Sequence, residues 1–171
     1  WDISVSVRAN IDDTWGFPID LGATVNSTSK DYCPSISADG LELYFASKRP
    51  GGFGSKHDLW VAKRSTINDE WGEPMNLGAP VNTEIGETAP CISSDGLTLF
   101  FRSANRPGGF GSADIWMTTR TSYDDPWGEP QNLGPMVNSS DPEYYMSISA
   151  DGLVLFFDSP REGGVGNRDL Y

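Results

Sequence analysis

A chain of 171 residues with 24 Asp and Glu against 12 Lys and Arg has a formal net charge of −12. That balance excludes nucleic acid, whose phosphates require a basic surface, and equally an anionic membrane surface. Its 37% hydrophobic and 12% aromatic content excludes a disordered chain and is enough to fill a core without metals or crosslinks. A cation, a basic protein or a neutral glycan remains as the partner class. No apolar stretch approaches the roughly 20 residues of a membrane span, so no membrane insertion is expected, and no signal peptide or lipidation motif is recognised. Residue 1 is Trp and not Met, so the natural N-terminus can lie upstream.

Trp15-Gly16, Trp71-Gly72 and Trp127-Gly128 recur at a spacing of 56, as do Asp39-Gly40, Asp95-Gly96 and Asp151-Gly152. A fixed period of this size means a solenoid, propeller or array. The phases run over about residues 2–57, 58–113 and 114–168, followed by the start of another unit. Nineteen Gly and twelve Pro among short apolar runs point to strands and tight turns, with no helix needed.

In chain order, Asp2-Ile3-Ser4 opens a strand, Ile11-Asp12-Asp13 is a polar hairpin, and Trp15 to Leu21 is an irregular outer strand. The second full repeat shows the unit most clearly. Ala89–Ser93 is a short strand A, and Asp95-Gly96 is a hairpin turn whose Gly supplies positive φ. Leu97–Phe101 is a strongly apolar strand B, expected to be buried on both faces. The loop Arg106–Ser112 leads to strand C, Asp114–Arg120, then the polar hairpin Thr121–Pro126, then strand D, Trp127–Gly134, where Pro is tolerated at an edge. The third copy repeats strands A and B at Met146–Ser149 and Leu153–Phe157, and the sequence stops in strand C at Asp169–Tyr171. Four antiparallel strands per repeat make one blade, so the expected class is an all-β propeller. The D-to-A segments and the Arg-Pro-Gly-Gly loops share one face, and the Asp-Gly turns and Asp-rich hairpins share the other.

Three blades fall below the usual minimum of about four. The half-blades at the two ends can be completed by a second copy, giving six blades, or by further sequence. A homo-oligomer joined through the terminal half-blades is therefore expected.

The succession Trp-Gly-x-Pro-x-Asn-Leu-Gly, Val-Asn, Glu-x-x-Pro-x-Ile-Ser-x-Asp-Gly, Leu-x-Leu-Phe-Phe and Arg-Pro-Gly-Gly-Phe-Gly-x-x-Asp-Ile-Trp resembles the WD-repeat-like, TolB-type propeller repeats of bacterial envelope and secreted proteins. The resemblance covers Asp2 to Tyr171. It implies a periplasmic, outer-membrane-associated or extracellular location and a binding or scaffolding role. Departures gather in the last copy, where Met146 replaces the Pro at Pro34 and Pro90, and Arg161–Gly166 lacks the Pro and Phe of the loop.

Asp31, Glu87 and Glu143 stand at the entrance of strand A, nearest the axis. Inward carboxylates invite a glycosidase reading, with one acid and one nucleophile or base. The structural alternative is that each accepts hydrogen bonds from a loop of its own blade, since repeat-equivalent positions tend to share one environment while an acid and base need different ones. Arg49, Arg106 and Arg161 open the glycine loop, and Asp58, Asp114 and Asp169 close it, so a salt bridge across each loop is expected. Ligand binding through Arg49 and Arg106 is the alternative. Phe53 and Phe110, flanked by glycines at the loop tips, are candidate ligand contacts, as are Glu87 and Glu143. Trp15, Trp71 and Trp127 are expected to pack between blades.

The hairpins at Asp12-Asp13, Asp69-Glu70 and Asp124-Asp125 could hold calcium but lack the Asp-x-Asp-x-Asp-Gly spacing. No cofactor is expected. His57, the only histidine, is a poor candidate for a triad or metal site because its position varies between copies. Cys33 and Cys91 lie two residues out of phase, which suits free thiols better than a disulfide. The leading functional reading is a non-enzymatic module binding a protein or glycan through its loop face. The second is a sialidase-like or arabinanase-like glycosidase, and the third a self-assembling structural segment.

Overall fold

A computed structural model describes residues Trp1–Tyr171 as four small antiparallel sheets. β1 (Ser4–Val5) pairs with β2 (Ile19–Asp20). The first complete blade is β3 (Asp31–Ile36), β4 (Glu42–Ser47), β5 (Asp58–Lys63) and β6 (Met75–Asn76), hydrogen-bonded in that order. The second is β7 (Glu87–Ile92), β8 (Thr98–Ala104), β9 (Ala113–Thr119) and β10 (Gln131–Asn132). The third holds β11 (Met146–Ile148), β12 (Leu155–Ser159) and β13 (Asp169–Leu170). The all-β propeller architecture expected from the repeat is what the chain forms.

Alternation along β4 joins the blades. Leu43 and Phe45 enter one cluster with Ile3, Val25, Trp60 and Ala62, toward the N-terminal half-blade. Tyr44 and Ala46 enter another with Leu59, Val61, Leu99, Phe101 and Trp116, toward the second blade. Every residue of β4 is therefore buried, each large apolar side chain contributing about 1.5–3 kcal/mol. The later B strands differ from expectation. β8 alternates buried and half-buried residues, and β12 is partly exposed, because their second faces meet the incomplete third blade or solvent.

The Asp-Gly turns form for a local reason. Asp39 accepts from the Leu41 amide at 3.0 Å and the Ser37 hydroxyl at 2.6 Å, and Asp95 does the same with Leu97 and Ser93. Gly40 and Gly96 then take φ of 75° and 68°. Strand D pairs over only two residues in each blade, since Pro18, Pro74 and Pro130 stand immediately before it without an amide donor.

After strand D comes a feature the sequence reading did not include. A four-residue helical turn, α1 (Gly22–Val25), is closed by Asn26 N–H on Gly22 O at 2.8 Å, and Asn82 closes on Gly78 and Asn138 on Gly134 in the same way. It is too short to alter the all-β class. It places each Val-Asn pair. Asn82 accepts from the Leu59 amide and donates to the Leu59 carbonyl, both at 2.9 Å, so its side chain stands in for a paired strand residue. Asn26 does this for Ile3 and Asn138 for Ile115.

The outer Trp residues lie under cations at the end of strand C. Arg8, Arg64 and Arg120 sit 4.5, 4.3 and 4.6 Å from the rings of Trp15, Trp71 and Trp127. Trp71 and Trp127 pack against the inter-blade clusters as expected, while Trp15, on the outermost half-blade, is exposed. Arg120 also reaches the first blade, binding Glu42 through Nη2 at 2.6 Å and Nη1 at 3.3 Å. Burial opposes ionisation of Glu42, but the hydrogen bonds from Arg120, Lys63 and Tyr44 outweigh it and hold its pKa low.

Candidate functional site

The three inner carboxylates occupy one geometry. Asp31 accepts from the Ser27 amide at 2.7 Å, the Ser27 hydroxyl at 2.9 Å and Arg49 at 2.7 Å. Glu87 accepts from Thr83 N–H at 2.9 Å, its hydroxyl at 2.7 Å, Ser103 at 3.2 Å and Arg106 at 3.4 Å. Glu143 accepts from Ser139 N–H at 3.1 Å, its hydroxyl at 2.8 Å and Arg161 at 2.6 Å. None is more than 1% exposed.

The expected salt bridges from Arg49, Arg106 and Arg161 to Asp58, Asp114 and Asp169 do not form. Each guanidinium instead turns to the strand A carboxylate and to carbonyls of the preceding D-to-A segment, Val25 for Arg49, Pro80 and Val81 for Arg106, Val137 for Arg161. The reason is that the loop aspartates face inward on their own loops. Asp58 accepts from Phe53 N–H at 2.5 Å and Asn76 Nδ2 at 2.8 Å, and Asp114 from Phe110 N–H at 2.6 Å and Gly111 N–H at 3.0 Å. The second glycine of each pair is required by this approach. A Cβ on Gly52, Gly109 or Gly164 would lie 2.3, 2.2 or 2.1 Å from the aspartate oxygen.

Equal geometry does not give equal acidity. Burial pushes the Glu87 and Glu143 pKa values up against their hydrogen bonds. At Asp31 burial also acts upward, but hydrogen bonds from Ser47, Arg49 and Ser27 prevail and the pKa is lowered. The three positions thus share their hydrogen-bond partners but not the direction of the shift. Arginine distance does not sort them, since Arg161 approaches Glu143 at 2.6 Å and Arg106 approaches Glu87 at 3.4 Å; burial is the leading cause at both glutamates.

Phe110 is half-exposed and Phe53 half-buried at their loop tips. The hairpin aspartates accept within their own turns, Asp13 from Asn10 N–H and Nδ2 and Asp69 from Thr66 N–H. No group of three or more His, Cys, Asp or Glu is placed to hold a metal ion. Cys33 and Cys91 are free thiols, half-buried.

An open site lies at the axial end of the loop face, where the A strands begin. β3 and β7 bulge there, with Cys33 and Ala89 at φ of 54° and 50°. A cleft of about 220 Å³ is lined by Tyr32, His57, Arg102, Tyr144 and Tyr145 among others. Tyr32 meets His57 edge-on at 4.9 Å, and Arg102 lies 5.1 Å from the Tyr144 ring. Burial, with Lys48 and Lys30 adding to it, lowers the His57 pKa to about 4, so the imidazole is neutral at pH 7. His57 stands at a position that varies between copies, Ala113 and Arg168 being its equivalents, and so does not match the pattern of a repeated site. That departure from the repeat is the one signal the sequence carries for it.

No family model and no curated protein matches the chain. Solved structures do. TolB from Acinetobacter baumannii aligns at a TM-score of 0.59 with 14% identity, over 91% of this chain and 31% of that one. A structure assigned to TolB from Agrobacterium tumefaciens aligns at 0.58 with 17% identity, over 95% and 52%. A Hadza microbial sialidase aligns at 0.61 with 14% identity, over 99% and 37%. At these identities the likeness concerns the fold. The chain spans 31% to 52% of the length of these three proteins, and its fold is that of a TolB-like β-propeller.

Proposed function

We propose that the chain is a binding or scaffolding part of a propeller of the bacterial envelope or exterior, taking a protein or glycan on its loop face without turning it over. The observation that supports this is the disposition of its polar groups. The carboxylates best suited to glycoside hydrolysis are buried and tied to their own blades, while Tyr32, His57, Arg102, Tyr144 and Tyr145 line an open cleft at the axial end of the loop face. The envelope location rests on the resemblance of the repeat motif. The test is a glycan array run beside a panel of chromogenic glycosides. Binding without turnover is expected. Turnover that disappears in Glu87→Gln or Glu143→Gln with unchanged melting would replace this reading with the glycosidase.

The glycosidase reading has one observation in its favour, the divergence of the lowered Asp31 from the raised Glu87 and Glu143, since an acid and a base need separated pKa values. Burial of all three behind arginines weighs against it.

Association of copies through the half-blades is a further part of the proposal. Val154, Phe156 and Leu153 are exposed on one half-blade, and Val5, Val7 and Trp15 on the other. In the register by which Thr98–Phe100 face Thr119–Met117, Val154–Phe156 of one copy would face Val7–Val5 of another. Arg8 would then reach the Gly152 carbonyl as Arg64 and Arg120 reach those of Gly40 and Gly96. Asp2–Ser4 and Asp169–Tyr171 share one phase of strand C, so one of these short segments must give way. Light scattering after size exclusion should give a dimer or larger, and a monodisperse monomer at micromolar concentration would refute the association.

A further inference from the structure

Residues shared by the three copies have scaffold uses, as the carboxylate, arginine, asparagine and tryptophan sets show. Side chains that break the repeat have no such default. Some of these serve packing, as Glu42 does by holding Arg120. Four others, contributed by all three repeats, meet in the axial cleft. Cys33, Ala89 and Tyr145 are one position in three copies; His57 stands where Ala113 and Arg168 stand; Arg102 stands where Ala46 and Asp158 stand. Convergence of non-repeating groups on one concavity marks a ligand site more strongly than any single residue does.

The chemistry of the cleft is specific. Arg102 spends only Nε on the protein, donating to the Glu143 carbonyl at 2.9 Å, and its ring contact with Tyr144 fixes the plane of the guanidinium. Its two Nη groups make no hydrogen bond within the chain and Arg102 lines the cleft, which leaves a planar fork of the geometry that matches a carboxylate. Lys30 and Lys48 stand close enough to act on His57, so the mouth is locally positive on a chain whose net charge of −12 would otherwise repel an anion. Tyr32 and Tyr145 supply ring faces for stacking. Thr88 lines the cleft as well, and its hydroxyl, which can donate and accept, suits the hydroxyls of a bound ring.

We propose that this cleft binds an acidic sugar residue, with the Arg102 fork on its carboxylate, tyrosine rings against its ring and the Thr88 hydroxyl bonded to a ring hydroxyl. The volume of about 220 Å³ is below the roughly 300–1,000 Å³ of drug-sized sites, so one sugar ring at a chain end or branch is the unit recognised. This rests on the reading that the loop face binds a ligand, and names the ligand's class.

The test is calorimetric titration of the whole chain with methyl glucuronide, methyl glucoside and benzoate. The glucuronide is expected to bind at least about 10-fold more tightly than the glucoside, which lacks the carboxylate, and than benzoate, which lacks the hydroxyls. Added salt should weaken it. Arg102→Ala should lose about 10-fold or more with its melting temperature retained, and Arg102→Lys should recover only part of that, since it restores charge but not the fork. Equal binding of glucuronide and glucoside, equal binding of benzoate, no binding of any of the three, or an Arg102→Ala variant with full affinity would each overturn the assignment. None of these outcomes touches the broader binding role, which the glycan array decides. Should Arg102→Ala fail to fold, the three-ligand comparison on the unaltered chain decides the assignment.

Discussion

Arg106→Ala tests whether the inner carboxylates belong to the scaffold. The Arg106 side chain is 11% exposed and Glu87 0%, and the guanidinium donates to Pro80 O at 2.7 Å and Val81 O at 2.9 Å as well as to Glu87 at 3.4 Å. Breaking a buried charged pair from one side costs about 3–5 kcal/mol. The Glu87 contact is long and its pKa is already raised, so the carboxylate escapes part of that cost by taking a proton, and about 3 kcal/mol is expected. At about 2–4 °C per kcal/mol for a chain of this size, the melting temperature should fall by about 6–12 °C.

Removing the stranded charge should rescue the loss. The double variant Arg106→Ala with Glu87→Gln is expected to be about 1–2 kcal/mol more stable than the sum of the single effects. The pH dependence carries a sign. A carboxyl whose folded pKa is raised favours the folded state increasingly as pH falls through that value, and without Arg106 the value rises further. The deficit of Arg106→Ala should therefore narrow as pH falls from 7 toward the ordinary carboxylate range. Urea unfolding followed by tryptophan fluorescence at several pH values measures all of this. A single variant within 1 kcal/mol of the parent, or strict additivity in the double variant, would refute the clamp.

Asn82→Ala leaves the buried Leu59 N–H without a partner, while the Leu59 carbonyl keeps the Leu77 N–H, and should cost about 2 kcal/mol in urea unfolding. Asp31 has a lowered pKa, so its contribution to stability is present above the unfolded-state value and is lost as pH falls through the folded one; Asp31→Asn should flatten the acid limb of the stability profile. Gly109→Ala places a methyl 2.2 Å from the Asp114 carboxylate and should cost about 2 kcal/mol or more, whereas Phe110→Ala at the exposed tip beside it should change stability by no more than about 0.5 kcal/mol. Parallel thermal melts of these last two variants separate a loop held by its glycines from one held by its aromatic tip.

The fold was legible in the sequence because its causes are local and thrice repeated. Asp-Gly turns, alternating apolar strands and Pro-limited outer strands each carry their own short-range signature, and the period multiplies it. The arginine partners were misassigned because sequence proximity favoured Asp58 over Asp31, while the folded loop turns Asp58 onto its own amides. Nothing in the spacing shows which way a loop carboxylate faces. The axial cleft was missed for the opposite reason. Arg102, His57 and Tyr145 do not recur between copies, and their meeting depends on the angle between blades, which no local pattern encodes.

The segment between each strand D and the next strand A is fastened in both directions. Behind it, Asn82 grips strand C of the blade just completed, across 23 residues; ahead, Thr83 and Glu87 fasten to each other across four. Both spans are short, so the closure of one blade requires only the first residues of its successor. Such a chain can fold vectorially as it leaves the ribosome, each blade latching once the Val-Asn pair after its strand D has emerged, without waiting for the ring to form.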